Sequence, residues 1–313
     1  MGAFVVKRLL ATIPVMAMVA LVVFLILRLS PGDPAAILAG DAATPENIAK
    51  IRANLGLDRP ILVQFVDWVW QLLNGDLGTS LLSLQPVALT IGQRVGPTVS
   101  LAVTTIVFSV IVAVPLGVIA AWKHGTWIDR GVMGLSVVGF SVPVFVLGYG
   151  WIYGLAMQLR LFPVQGYSSL ADGFGPFIQH LVLPTLTLSV IFIALIARMT
   201  RASVLEILTE DYIRTAHAKG VSEQRVLIHH ALRNAAVPIV SVIGIGIALL
   251  IGGVVVTESV FNLPGLGRLT VDAVLARDYP IIQGVILVFS AAYVLINLMI
   301  DIAYTVFDPR IRY

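Results

Sequence analysis

The residues best suited to chemistry in this 313-residue chain are its five histidines, His124, His180, His217, His229 and His230, and a few acids at the margins of apolar segments. Imidazoles hold zinc when several donors converge on one point. His229-His230 cannot converge, because neighbours on a helix project about 100° apart. His180 stands near the edge of an apolar stretch and is read as a hydrogen-bonded interfacial side chain. There is no cysteine, which excludes thiolate metal sites, disulfides and cysteine nucleophiles. No metal site and no catalytic residue is expected.

Phosphate and acyl chemistry leave no trace either. The chain has no G-x-x-x-x-G-K-[ST] cradle, no H-E-x-x-H helix and no G-x-S-x-G elbow. Gly244-Ile245-Gly246 lies inside an apolar stretch and opens no βαβ unit, so it is not a dinucleotide fingerprint. Ionisable groups within a membrane often mark an ion path. Here Asp301 falls toward the inner end of the last apolar stretch and Glu258 at the outer end of the fifth. Each is expected to pair with an interfacial arginine or a backbone amide. An ion-coupled secondary transporter working alone would use ionisable groups near the midplane. Glycines and prolines inside the stretches, such as Pro115, Gly117, Gly139, Pro143, Gly148, Pro184, Gly244 and Gly253, suit close helix contact, kinks or hinges. A pore lined by small and apolar side chains and powered from elsewhere fits this inventory.

The elements that must position these residues are set by composition. Hydrophobic residues make up 58% of the chain and charged residues 12%, against about 25% charged in soluble domains. Mean hydropathy is +0.96. Six stretches of 19 residues or more lack Asp, Glu, Lys and Arg: 9–27, 95–122, 131–159, 173–197, 234–257 and 279–300. About 20 helical residues at about 1.5 Å each cross a hydrocarbon core of about 30 Å. The prediction is an all-α integral membrane protein with six transmembrane helices, at 9–29, 97–121, 132–157, 177–198, 236–257 and 281–305. The first is read as a retained span, since its apolar run exceeds the about 7–15 residues of a leader's core.

An even number of spans puts both ends on one side. With that side cytoplasmic, twelve Lys and Arg lie inside and eight outside. Five of the eight fall in the long segment 28–95, and segments beyond about 60 residues weigh little in orientation. The bias predicts an N-in/C-in topology. It also accounts for the net charge of +3 without nucleic acid. The extracytoplasmic segment 30–95 forms a small outer subdomain. There, Thr44-Pro45-Glu46 starts a helix and Gly56 ends it. Residues 61–73 form an amphipathic helix at the membrane surface, broken by Gly75-Asp76-Leu77-Gly78. The inner loop 198–233 is predicted as a helix over 202–220, ended by Gly220, followed by a second helical start at Ser222.

Within that loop, Asp211-Tyr212-Ile213-Arg214-Thr215-Ala216-His217-Ala218-Lys219-Gly220-Val221-Ser222 resembles the EAA loop of binding-protein-dependent ABC transporter permeases. More narrowly, the chain resembles the dipeptide/oligopeptide/nickel permease family. The matching motifs run along its whole length. They are Arg28-Leu29-Ser30-Pro31-Gly32-Asp33-Pro34, Leu55-Gly56-Leu57-Asp58-Arg59-Pro60 and Gly75-Asp76-Leu77-Gly78-Thr79-Ser80. Later come His230-Ala231-Leu232-Arg233-Asn234-Ala235 with Pro238, and Glu258-Ser259-Val260-Phe261-Asn262-Leu263-Pro264-Gly265-Leu266-Gly267-Arg268. Arg277-Asp278-Tyr279-Pro280 and Asp308-Pro309-Arg310-Ile311-Arg312 complete the set. The loop departs from the generic pattern in having Arg214-Thr215-Ala216 where Glu-Ala-Ala stands.

The resemblance implies a non-catalytic permease subunit of an ATP-driven importer in the bacterial inner membrane. Its partners would be a second homologous permease, two cytoplasmic ATPase subunits that bind ATP and Mg, and an extracytoplasmic substrate-binding protein. The chain itself would hold no cofactor. The implied coupling residues are Asp211, Tyr212, Arg214, Ala216, His217, Lys219, Gly220, Val221 and Ser222. No residue is assigned to the substrate path. The implied cargo is a di- or oligopeptide, with a nickel chelate, glutathione or an opine-like conjugate as alternatives.

Overall fold

An apolar segment in lipid must satisfy its own backbone, and a helix does so residue by residue. The computed structural model describes residues 2–29, 34–39, 44–54 and 56–307, and almost all of its regular structure is helical. The helices are α1 (Gly2–Leu29), α2 (Pro34–Ala39), α3 (Pro45–Asn54), α4 (Ile61–Leu73), α5 (Val87–Trp122), α6 (Trp127–Ser141) and α7 (Val144–Trp151). Then follow α8 (Phe174–Leu208), α9 (Asp211–Ala218), α10 (Glu223–Arg225), α11 (Ala236–Val260), α12 (Leu266–Ala276) and α13 (Tyr279–Phe307). Wider π-helical turns continue α7 over Ile152–Gln158 and α10 over Val226–Leu232. Three motif parts, residues 30–33, Leu55 and residues 308–312, lie outside the described residues.

Among the described residues, five helices are long and apolar enough to cross a membrane: Arg8–Ile26, Val87–Trp122, Phe174–Leu208, Ala236–Val260 and Tyr279–Ile302. The third expected span, 132–157, is not one helix. It is a pair, Trp127–Ser141 and Val144–Gln158, bent by 102°. Pro143 is the local cause. It cannot donate a hydrogen bond, and it drives the preceding residue out of the helical region. Val142 accordingly has φ −88° and ψ 123°. Counted as one broken span, the pair completes the six. The apolar exterior of the spans is what lipid requires: Leu10, Ile13 and Met18 of α1 are 60%, 60% and 61% exposed.

The chain forms two compact units, Met1–Val95 with Leu269–Val294 and Gly96–Arg268 with Leu295–Tyr313. In the first unit, Thr44 caps α3 through the Asn47 amide at 3.3 Å. Gly56, at φ +66°, follows that helix. The amphipathic α4 lays Phe65 and Trp68 against Phe24 of α1, with ring centroids 5.2 and 5.6 Å away. Ser80 and Asp278, both buried, join the segment after α4 to the start of α13.

In the second unit, α8 packs against α6, α7 and α11 around a core that includes Leu101, Leu183, Leu188, Phe192, Leu250 and Phe261. Several glycines inside these helices have the contact role expected of them. A Cβ on Gly117 would collide with Thr200 and Ala197, and one on Gly253 with Leu188. Gly148 lies against Val260 and Phe261.

Candidate functional site: the short helix between α8 and α11

The structure corrects the expected helix over 202–220. The chain leaves the helix at Thr209 and Glu210, where Glu210 is extended at φ −70° and ψ 147°. The Thr209 hydroxyl bonds the Glu206 carbonyl at 2.7 Å, one of the local bonds by which threonine competes with a helical ladder. A separate helix, α9, then spans Asp211–Ala218. Its end is the one predicted: Gly220 takes φ +77°, and its amide bonds the His217 carbonyl at 2.9 Å. Such left-handed closure is least costly for glycine.

Side-chain spacing divides α9 into two faces. Ile213 and Ala216, three residues apart and so on one side of the helix, are buried. They pack with Val226 against Ile207, Leu208 and Val221. Asp211, Tyr212, Arg214, His217 and Lys219 remain exposed, as do Gly220 and Ser222 after it. The nine residues implied as coupling residues therefore do not act alike. Seven lie at the surface, while Ala216 and the half-buried Val221 hold the helix to the end of α8.

Polar bonds fix the surrounding segment. The Asn234 amide group donates to the Tyr212 hydroxyl at 3.0 Å and to the His230 carbonyl at 2.8 Å. The Trp122 indole N–H, on the last residue of α5, donates to Glu223 of α10 at 2.6 Å. Lys123 Nζ lies 3.8 Å from the centre of the Trp122 ring. Arg214 pairs with Asp211 at 3.2 Å within the exposed face of α9.

One charged cluster on α6 and α8 was not singled out by the sequence. Asp129, in the first turn of α6, is buried. Arg201 of α8 forks onto it, Nε to Oδ1 at 2.5 Å and Nη2 to Oδ2 at 2.8 Å. The Gly125 amide donates to the same carboxylate at 3.0 Å, and His124 Nδ1 lies 3.1 Å from it. The partners are 72 positions apart, so no spacing rule could pair them. The one available signal was an acid in the first turn of a helix that begins a span.

The remaining candidates fall into place. His180 Nδ1 lies 2.8 Å from the Pro176 carbonyl, the hydrogen-bonded state expected of it. Glu258 accepts the Arg268 amide at 2.9 Å and the Thr98 hydroxyl at 2.5 Å, so its expected backbone-amide partner is present.

The helices long and apolar enough to span a membrane make this an integral membrane protein, and its family gives the class. Residues 113–313 match the family described as binding-protein-dependent transport system inner membrane component. Residues 1–102 match the corresponding N-terminal membrane component. The chain belongs to the binding-protein-dependent transport system inner membrane component family. It is 56% identical, over all 313 residues and the full length of both chains, to y4tP of Sinorhizobium fredii, named a probable peptide ABC transporter permease protein. It is 44% identical over 310 residues, 99% of each chain, to the glutathione transport system permease protein GsiC of Salmonella choleraesuis. Its fold is similar to a chain of the inward-facing MetNI methionine ABC transporter, with TM-score 0.58 and 19% identity, covering 70% of this chain and 96% of that one. The chain is thus an ABC importer permease subunit, a multi-pass protein of the bacterial inner membrane. Family membership implies ATPase and substrate-binding-protein partners.

Proposed function

We propose that the chain forms half of the translocation path of an importer for di- and oligopeptides, paired with a second homologous permease. The observation that carries the energy-coupling part is the two-faced α9, with Ile213 and Ala216 seated on the end of α8 and seven candidate docking residues exposed. In this reading α9 sits in a groove of a cytoplasmic ATPase. ATP and Mg are bound there and not by this chain. ATP-driven closure displaces α9, and its apolar seat on Ile207 and Leu208 passes the displacement into α8 as a rigid-body motion. An extracytoplasmic binding protein delivers the cargo.

Peptide cargo is supported by the full-length likeness to y4tP, named for peptides. The likeness to GsiC, named for glutathione, favours a second reading, glutathione import. The two share chemistry, since glutathione is itself a tripeptide.

The test is reconstitution with the binding protein, the second permease and the ATPases in liposomes. A labelled dipeptide or tetrapeptide is expected to accumulate only with ATP and binding protein present. Uptake of glutathione in preference to both would establish the second reading. Transport by the isolated chain on an ion gradient, without ATPase subunits, would overturn both.

A further inference from the structure

We infer that Asp129 and Arg201 are positioning residues of the transport cycle: their ion pair makes the end of α8 and the α5–α6 turn move together when α9 is displaced. The inference rests on α9 being the ATPase-docking helix.

The geometry is a closed ring of contacts. Arg201 lies seven residues before Leu208, about 10 Å along α8 at about 1.5 Å per residue. Leu208 and Ile207 form the seat of Ile213 and Ala216 of α9. On its other side Arg201 grips Asp129 of α6 with two parallel bonds. The same carboxylate takes the Gly125 amide from the turn that joins α5 to α6. The ring closes through Trp122, whose indole bonds Glu223 of α10 just beyond α9. Arg201 Nη2 also lies 3.1 Å from His124 Nδ1 of that turn, and the end of α5 packs on α8 through apolar side chains such as Ala121 and Val204. Apolar packing passes on a displacement, but the hydrophobic effect is non-directional and does not by itself specify one orientation.

A bidentate arginine fork fixes orientation as well as distance, which a lysine point charge does not. The Asp129 side chain is buried at 5% exposure and that of Arg201 is 22% exposed. A buried ion pair adds little net stability compared with apolar side chains of the same volume, so its value lies in the arrangement it enforces. The result is a strut. Motion entering at α9 reaches α8 through the apolar seat and α6 through Asp129.

The experiment uses the complete transporter in liposomes and reads transport, ATP hydrolysis and their ratio. D129N and R201K are expected to retain bound ATPases and ATP hydrolysis but to transport about two- to thirtyfold less per ATP, the range by which residues in a coupling network modulate it. Because this chain has no cysteine, D129C/R201C adds a mechanical test. Coupling is expected to fall in that variant and to return when a short bis-methanethiosulfonate cross-linker bridges the two thiols, each disulfide forming with loss of methanesulfinate. A ratio within about twofold of the parent in all variants would overturn the strut. So would a failure of every variant to accumulate, which would assign the pair to folding alone. A K219C probe separates the two readings. If K219C on the otherwise unchanged chain does not cross-link to an ATPase, the docking reading fails. If it cross-links and the ratio still holds in the variants, only the strut fails.

Discussion

Glu258, with no exposed surface, accepts the hydroxyl of Thr98, 160 positions away, at 2.5 Å. The same Thr98 oxygen accepts the Leu266 amide at 2.8 Å, and the other carboxylate oxygen accepts the Arg268 amide at 2.9 Å. One acid thus ties the loop after α11 back to α5. E258Q keeps an acceptor and the shape, and is expected to leave the chain folded with a small loss of thermal stability. E258A removes the acceptor from a buried site and is expected to cost about 1–3 kcal/mol. Thermal unfolding in detergent, followed by tryptophan fluorescence, checks the order.

Gly265 lies against that same carboxylate, and a Cβ there would fall on Glu258 itself. G265A is expected to destabilise by about 1–3 kcal/mol, as overfilled sites do. Combining G265A with E258A removes the obstruction. The double variant is then expected to be more stable than the sum of the single losses predicts, which the same unfolding assay measures.

Local chemistry was legible in the sequence; long-range partnership was not. Thr44, Gly56, Gly220 and the amphipathic face of α4 act within a few residues of themselves, so residue type and spacing suffice. Prolines show the limit. Pro143 bends its span by 102°, while Pro97 and Pro115 in α5 and Pro184 in α8 leave their helices unbroken. In lipid, the surrounding protein decides whether freed backbone groups are satisfied again, and that is invisible from one segment. The break at Thr209 and Glu210 escaped for a related reason: it needs no proline or glycine. Asp129 with Arg201 and Thr98 with Glu258 are brought together by tertiary structure alone.

Two motifs that look independent in sequence meet at Ser80 and Asp278. Ser80 donates its hydroxyl to Asp278 at 2.5 Å, and the Leu81 amide donates to the same carboxylate at 3.2 Å. Both side chains are buried, 1% and 2% exposed. D278A is expected to cost about 1–3 kcal/mol and to loosen the segment around Ser80. S80A leaves the Leu81 bond in place but removes the oxygen that accepts the Leu82 and Ser83 amides at 3.3 and 3.0 Å, and is expected to cost a similar amount while loosening residues 80–83 more. Limited proteolysis near residues 79–86 reports the difference.

Asp172 supplies a pH-dependent case. The Ser169 hydroxyl and amide each donate to its carboxylate at 2.8 Å, and these bonds hold its pKa below the ordinary aspartate value. A depressed folded value means that the stabilisation is present above the unfolded pKa and is lost as pH falls through the folded one. Hydrogen-exchange protection of peptides spanning Ser169, corrected for intrinsic rate, is expected to persist through neutral pH and to decline only on strong acidification. D172N is expected to remove that acid-dependent decline.

Gly220 offers the sharpest separation of backbone strain from partner contact. At φ +77° any other residue pays a conformational cost of about 1–2 kcal/mol, yet among the described residues nothing beyond its chain neighbours lies within 4 Å of an added Cβ. Within the isolated chain, the Cβ of alanine or of tryptophan at this position therefore meets the same backbone strain and the same open space. The two variants are expected to show similar thermal stability when purified without partners. In the assembled transporter they are expected to differ: G220A retains most ATPase binding and uptake, whereas the bulk of G220W obstructs a docked subunit and lowers both. Equal activity of the two variants in the full complex would show that no partner surface approaches Gly220, and the docking role of the α9 end would then be wrong.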